Sequence, residues 1–232
     1  MKKISFIGSY DKTDLILYIA KVLVALGKKV IVIDSTMSQK AKYIVPVIKP
    51  TKAYVTEFEE IEVAVGFSNF EEIKEYLGLT EQNELPYDIA LIDIDDAESI
   101  KEFNINNECV NYFVTGIDLY SLKKGLEILS GLEQILKLTK VMFSRDASPE
   151  EDEYLNYLSL GYKIDWSEER IYFPFEIGDQ TVIAENQRVA KIKFKNLSSQ
   201  YKESLLYIVE QISEKEEYSA LKRIFKQLEK GV

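Results

Sequence analysis

The sequence predicts an α/β protein of three layers, a mostly parallel sheet flanked by helices. Three observations carry this prediction. Apolar runs of strand length recur at residues 3–7, 29–33, 87–93, 109–114, 140–143 and 171–176. Most of the segments between them place apolar residues at helical spacing. The runs are continuous rather than alternating, as in parallel strands covered on both faces. Strand–helix alternation of this kind builds a sheet whose ligand sites lie at the carboxyl ends of its strands.

Residues 3–7 (KISFI) form the first strand, and residues 14–26 place Leu15, Tyr18, Ile19, Val22, Leu23 and Leu26 on one helical face that Gly27 ends. Residues 29–33 (KVIVI) are the second strand, closing on Asp34, so a βαβ unit opens the chain. Over residues 35–52, Pro46 and Pro50 break any long helix. Residues 54–66 (YVTEFEEIEVAVG) read as strand pieces joined by an acidic turn, and residues 69–79 as a helix with Phe70, Ile73 and Leu77 inward. The third strong strand, residues 87–93 (YDIALID), ends on Asp93, with Asp95, Asp96 and Glu98 directly after it. A strand at 109–114, a helix at 119–132, a strand at 140–143 and a helix at 149–160 continue the alternation. Residues 171–176 (IYFPFE) give a further strand, 178–186 a turn with a short helix, and 197–213 and 217–230 two closing helices. With no internal repeat and no low-complexity linker, residues 1–232 are expected to form one domain.

Composition narrows the chemistry. Apolar residues make up 46% and charged residues 29% of the chain, the balance of a globular domain with enough core to need no disulfide or metal. The net charge of −10 argues against nucleic acid as a partner, because coating phosphates requires Lys and Arg to displace counterions. The chain has no histidine, which removes His-based triads and imidazole acid–base catalysis. The single Cys109 sits in an apolar context, as expected of a reduced core residue in a cytoplasmic protein. Neither a signal peptide nor an apolar run of about 18 residues is found.

Residues 4–15 (ISFIGSYDKTDL) have the outline of a phosphate-binding loop leading into a helix. Such a loop sets backbone N–H groups, a Lys and a Ser/Thr hydroxyl around phosphates, and glycine lets the backbone curl tightly. Gly8, Lys12 and Thr13 are in place, while Asp11 occupies the last glycine position. In a parallel sheet this loop, Asp34 and Asp93 converge, as a phosphate–Mg²⁺ site requires. An Asp that ends an apolar strand also serves as a helix cap or turn former.

These motifs resemble those of the ParA/MinD-like, deviant-Walker ATPases. Their loop reads Lys-Gly-Gly-x-Gly-Lys-Thr, and Ile7, Gly8, Ser9, Tyr10, Asp11, Lys12 and Thr13 follow it in turn. Residues 30–38 (VIVIDSTMS) resemble the family's Val-x-Val-Ile-Asp-x-Asp-Pro-Gln, with Asp34 retained and Thr36 in place of the second Asp. Residues 87–93 look like its Tyr-Asp-x-Ile-Ile-Ile-Asp strand. The resemblance implies a P-loop NTPase-like fold and ATP or ADP with Mg²⁺ as ligand. It sets Gly8, Ser9, Asp11, Lys12 and Thr13 around the phosphates, Thr13, Asp34 and Asp93 at the metal, Asp34 as candidate catalytic residue and Pro174 near the base. A homodimer across the loop face and a protein partner in a membrane-associated assembly are implied too.

The departures from the family pattern are concentrated in one task. Ile7 stands where the family's signature Lys reaches across a nucleotide-sandwich dimer. Asp11 adds a side chain and a negative charge where backbone touches phosphate, and two like charges about 4 Å apart repel by about 4 kcal/mol at an effective dielectric near 20. Thr36 removes a carboxylate used around the metal and the attacking water, whereas Ser9 for glycine is mild. Asp11 is equally suited to capping the following helix. The expectation is a degenerate site binding nucleotide weakly or not at all, in a scaffold or positioning factor for a membrane-associated or polar bacterial assembly of pilus, secretion or partitioning type. An active ATPase and a peripheral membrane protein are the alternatives. Tyr10, Tyr43 and Tyr54 lie near the site in sequence and suit a partner-binding surface.

Near the C-terminus, Leu221, Ile224, Phe225 and Leu228 share one helical face, and Lys222, Arg223, Lys226 and Lys230 crowd the other. A basic amphipathic helix lies on anionic membranes, and this one resembles the membrane-targeting tails of MinD-like proteins. The same stripe also suits a helix packed on its own domain.

Overall fold

The computed structural model describes residues 1–48, 51–80, 82–144, 148–174, 176–213 and 218–231. The expectations that involve Pro50, Phe175 and Glu217 lie outside them. The strands are β1 (Lys2–Ile7), β2 (Val30–Asp34), β3 (Tyr54–Phe58), β4 (Ile61–Val65), β5 (Ile89–Ile94), β6 (Val110–Gly116), β7 (Leu136–Ser144) and β8 (Ile164–Pro174). The helices are α1 (Thr13–Ala25), α2 (Ala41–Ile44), α3 (Phe70–Tyr76), α4 (Ala97–Glu102), α5 (Leu119–Leu129), α6 (Pro149–Leu158), α7 (Ile177–Arg188), α8 (Ser199–Ile212) and α9 (Tyr218–Lys230).

The strands form one eight-stranded sheet in the order β3-β4-β2-β5-β1-β6-β7-β8. All neighbours are parallel except the edge hairpin β3–β4. The continuous apolar runs now have a cause, since residues adjacent in a strand enter different cores. Val30 and Val32 pack with α1, α8 and α9 on one face, and Ile31 and Ile33 with α3, α4, α5 and α6 on the other. A strand covered on both sides has no solvent face on which to alternate.

Several elements depart from the expected pattern: β7 begins at Leu136, before residue 140, and the short α2 was not anticipated. Strand β8 starts at Ile164, well before residue 171, because it pairs with β7 from Leu136 onward, with a bulge between Leu138 and Lys140. As an edge strand it carries Asp165, Glu168, Glu169 and Arg170, which break up any apolar run and guard a free edge. Helix α7 is 12 residues long where a turn with a short helix was expected. Its only buried side chains are Asp179 and Asn186, so it has no apolar stripe to read. Helix α4 was not anticipated; Asp96 caps it by accepting the Ser99 N–H at 2.8 Å.

Of the C-terminal stripe, Leu221 and Phe225 belong to the core, and Ile224 and Leu228 are half-buried. Leu221 and Phe225 are 1% and 4% exposed and pack with α1 and α8. The Phe225 ring meets Phe194 edge-on at 5.3 Å, Leu228 packs at the margin, and Lys202 pairs with Glu229 at 2.8 Å. An apolar face committed in this way is not open to lipid while the helix stays docked.

The β3–β4 hairpin turns through Glu59 and Glu60, both left-handed at φ 54° and 67°. Turns of this hand favour Asn-Gly, and an ordinary residue there costs about 1–2 kcal/mol. Lys21 holds the turn in place: its ammonium donates to the Glu59 carbonyl at 3.0 Å and pairs with the Glu59 carboxylate at 3.3 Å, and Lys191 meets that carboxylate at 2.8 Å. Glu60→Gly is therefore expected to stabilise the protein by about 1 kcal/mol in urea unfolding, with Glu60→Ala near neutral. A net loss with glycine would mean that the Glu60 side chain outweighs the backbone strain.

Candidate functional site

Parallel pairing brings the three motif segments to adjacent strand ends. In the order β2-β5-β1, Asp34 stands opposite Asp93, and Ile7 opposite Ile94. The chain leaves β1 at Gly8, whose φ of 148° few other residues adopt. A Cβ on Gly8 would come within 2.1 Å of the Val114 carbonyl oxygen. The glycine retained from the phosphate-loop pattern is thus demanded by the close approach of β6.

The loop's lysine is turned inward. Lys12 is 3% exposed; its ammonium donates to the Gly8 carbonyl at 2.8 Å and lies 2.7 Å from Asp93 Oδ1. That second contact is a meeting of charges without the alignment of a hydrogen bond. Thr13 Oγ1 donates to the other Asp93 oxygen at 3.3 Å. Burial pushes the Asp93 carboxyl up to about 6, against the opposing pull of Lys12.

Asp34 is fully engaged below the loop. Its Oδ1 accepts the Thr36 N–H at 3.1 Å and the Thr36 hydroxyl at 2.6 Å, and its Oδ2 accepts the Ala41 N–H at 2.8 Å at the start of α2. The candidate catalytic carboxylate is thereby held as a turn former. Among the described residues no group of carboxylates is arranged to hold a metal ion. As arranged, the donors do not fit Mg²⁺, because an ammonium lies at one Asp93 oxygen, the Thr13 hydroxyl at the other, and backbone and hydroxyl donors fill Asp34.

Asp11 is not the N-cap expected of it; it stands one position earlier and closes a turn onto the start of the helix. Lys12 is the residue before the first turn of α1, and Asp11 Oδ1 accepts the Thr13 N–H at 3.3 Å. The other Asp11 oxygen pairs with Lys40, whose ammonium also meets Asp14 at 3.1 Å. Gln187 from α7 donates to both Asp14 oxygens at 2.8 and 2.9 Å. Burial lowers the Lys40 pKa, but Asp14 and Asp11 more than offset this and hold it above its ordinary value. Sequence reasoning passed over Lys40, since nothing local marks a lysine whose partners lie 26 and 29 residues away.

Two cavities flank this bridge. One, of about 370 Å³, is lined by the loop from Gly8 to Thr13 and by Thr36, Tyr43, Asp93 and Asp95. The other, of about 260 Å³, holds Pro174 beside Phe143, Gln180 and Gln187. Tyr10, Asp11 and Lys40 border both. Tyr10 stacks on Phe143 with ring centroids 4.7 Å apart, which anchors the loop to the end of β7. Ser9 donates to the Ser121 carbonyl at 3.2 Å. Tyr43 stands exposed at the mouth, whereas Tyr54 is buried and offers no surface.

The Asp93 carboxyl gives the site a pH signature. Its folded value near 6 lies above the unfolded value near 3.9, so the folded state holds the proton more tightly and this group's contribution falls as pH rises from about 4 to about 6. The stability of the protein relative to Asp93→Asn should decline over that window and level off above it, as read by urea unfolding at several pH values. A difference that stays constant across the window would contradict the assignment.

No protein-family model matches the sequence, and no curated protein matches it. Solved structures do resemble this one. A ParA family ATPase of Chlorobium tepidum TLS superposes with a TM-score of 0.57 at 13% identity, covering 91% of this chain and 99% of that one. A Borrelia burgdorferi B31 protein described as a plasmid partition protein, bound to AMPPNP, gives 0.56 at 13% identity over 91% and 99%. A chain of the MinC:MinD cell division protein complex of Aquifex aeolicus gives 0.56 at 12% identity over 90% and 96%. At such identities the likeness concerns architecture, and it agrees with the mostly parallel eight-stranded sheet and its flanking helices: the chain has the ParA/MinD-like P-loop fold.

Proposed function

We propose that the chain is a ParA/MinD-like positioning or scaffolding protein that works without ATP turnover, in a membrane-associated or polar bacterial assembly of the pilus, secretion or partitioning type. The observation that carries this reading is Lys12, whose ammonium at the wall of the loop cavity is engaged by Asp93 and the Gly8 carbonyl. Lys40 is spent in the same way on Asp11 and Asp14. A triphosphate entering the loop would have to displace both internal pairs and approach the carboxylates they leave behind. ATP or ADP with Mg²⁺ is therefore proposed as a weak ligand at most. Among the described residues no helix is long and apolar enough to cross a membrane.

The rival of the same fold is an active ATPase in which Lys12 swings out to the phosphates. Calorimetric titration separates the two. The parent chain is expected to give no heat with millimolar Mg-ATP, and Asp11→Gly, which removes a negative charge and leaves Lys40 with Asp14 alone, to gain at least tenfold in affinity. Micromolar binding by the parent that Lys12→Ala abolishes would establish the rival.

We also propose a homodimer and a protein partner as the assemblies in which the chain acts. Light scattering at high protein concentration should give twice the chain mass; a monomeric mass with and without nucleotide would remove the dimer from the proposal.

A further inference from the structure

The two edges of the sheet are built differently. Strand β8 carries charges and a bulge along its free edge. Strand β3, at the other edge, pairs with β4 without a bulge, and of its five residues, YVTEF, Glu57 alone is charged. The hairpin turn fixes which of its backbone groups face outward. Glu59 and Glu60 make a two-residue turn, so Phe58 and Ile61 are the hydrogen-bonded pair that closes it. Pairs alternate along an antiparallel ladder, and Thr56 and Tyr54 therefore bond inward to Val63 and Val65. The N–H and C=O groups of Val55 and Glu57 point away from β4, and among the described residues they meet no backbone or side-chain partner. Glu57 is exposed and Val55 and Thr56 are half-buried, so this row is open to water. Unpaired groups in a row on a sheet edge are a template for an added strand.

Charge decides what that strand carries. Glu57 stands directly opposite Glu62 across the β3–β4 ladder, and like charges so placed are destabilising. Among the described residues neither carboxylate pairs with an ammonium or accepts a hydrogen bond, since Lys21 and Lys191 go to the turn at Glu59. Burial and the neighbouring Glu57 both raise the Glu62 pKa. A second copy paired antiparallel about Thr56 would set Glu57 opposite Val55 of its partner and gather four carboxylates, Glu57 and Glu62 of each copy, on one face of the joined sheet. A segment with a Lys or Arg opposite Glu57 meets the reverse situation. Its cation lies beside Glu57, with Glu62 behind it on the same face.

We propose that β3 receives an extended segment of a partner protein as an added strand, bonded to the outward groups of Val55 and Glu57, with a Lys or Arg of the segment opposite Glu57. This gives the protein partner proposed above a place on the fold and rests on that reading. In the order β3-β4-β2-β5-β1 the edge lies four strand spacings from the strand that leads into the loop, roughly 19 Å, and a segment bound there leaves the loop uncovered.

A random 12-residue peptide library displayed on phage, selected against the full chain, tests the assignment. Selected sequences are expected to combine Lys or Arg with strand-forming Val, Ile and Thr. Their synthetic peptides, followed by fluorescence anisotropy, should bind at least tenfold more weakly to Glu57→Lys and to Val55→Pro, each shown by circular dichroism to be folded. The proline removes an outward N–H and leaves the ladder to β4 whole. If Val55→Pro does not fold, peptides N-methylated at alternate residues are titrated against the parent chain, and methylation in one of the two registers is expected to cost at least tenfold more than in the other. The proposal is overturned if no sequence is selected, if the selected sequences lack a basic residue, if either variant binds as the parent does, or if the two methylated registers bind alike. A dimer in light scattering that Val55→Pro reduces to a monomer would also overturn it, by making a second copy the occupant. A Mg-ATP titration of the same preparations keeps the two readings apart. Tight nucleotide binding with peptide binding retained defeats the role without turnover alone, whereas failed peptide binding with no nucleotide heat defeats the edge assignment alone.

Discussion

The site depends on one buried ion pair. Taking an ammonium and a carboxylate out of water costs several kcal/mol for each, and only close pairing with further hydrogen bonds offsets it. Lys12 and Asp93 offset part of it at 2.7 Å, with the Gly8 carbonyl on one side and Thr13 on the other, while burial still holds the Asp93 carboxyl up at about 6. The consequences spread outward from there. With its lysine folded back on the Gly8 carbonyl and Asp93, the loop is closed by Asp11 on the Thr13 N–H and by Lys40 across Asp11 and Asp14. Each cation the loop region supplies is matched by a carboxylate of the same chain.

This arrangement gives Asp11 a structural account. A negative charge in place of a phosphate-loop glycine is an obstacle to an anion, yet here it is a useful group. It receives a helix-start N–H and Lys40, and through Lys40 it joins the loop to α1, with Gln187 extending the network to α7. Gly8 makes the complementary point. It persists because the Val114 carbonyl lies where any side chain would go, so its presence says more about β1 and β6 than about a ligand.

The face around the loop and the far side of the sheet use apolar residues in opposite ways. At the far side, α8 and α9 commit Leu205, Ile208, Leu221 and Phe225 to a closed core. After β2, β6 and β8, Met37, Tyr43, Tyr120 and Ile177 stay in water, Tyr43 at the loop cavity. Leu221 and Phe225 of a helix stripe that reads as a membrane contact are thus internal, while apolar residues after three separate strands stay exposed.

The sequence by itself determined the layers and the strand ends. Continuous runs such as KVIVI are legible because a strand buried on both faces must be apolar at every position, and that requirement is local. The same logic explains what was hidden: the first half of β8 carries charges along an edge and α7 buries two polar residues, so residues 164–170 and the full length of α7 had no periodic signal to read. Within the site, the convergence of Gly8, Lys12, Thr13, Asp34 and Asp93 followed from parallel strands alone. What only the tertiary structure decided is how the charges are spent: Lys12 on Asp93, Lys40 on Asp11 and Asp14, Asp34 on Thr36 and Ala41. Lys12 and Asp93 are 81 positions apart by their residue numbers, and Lys40 lies 29 positions from Asp11. Pairing over such separations depends on the distance between atoms in the folded chain, a quantity that residue type and local spacing do not contain.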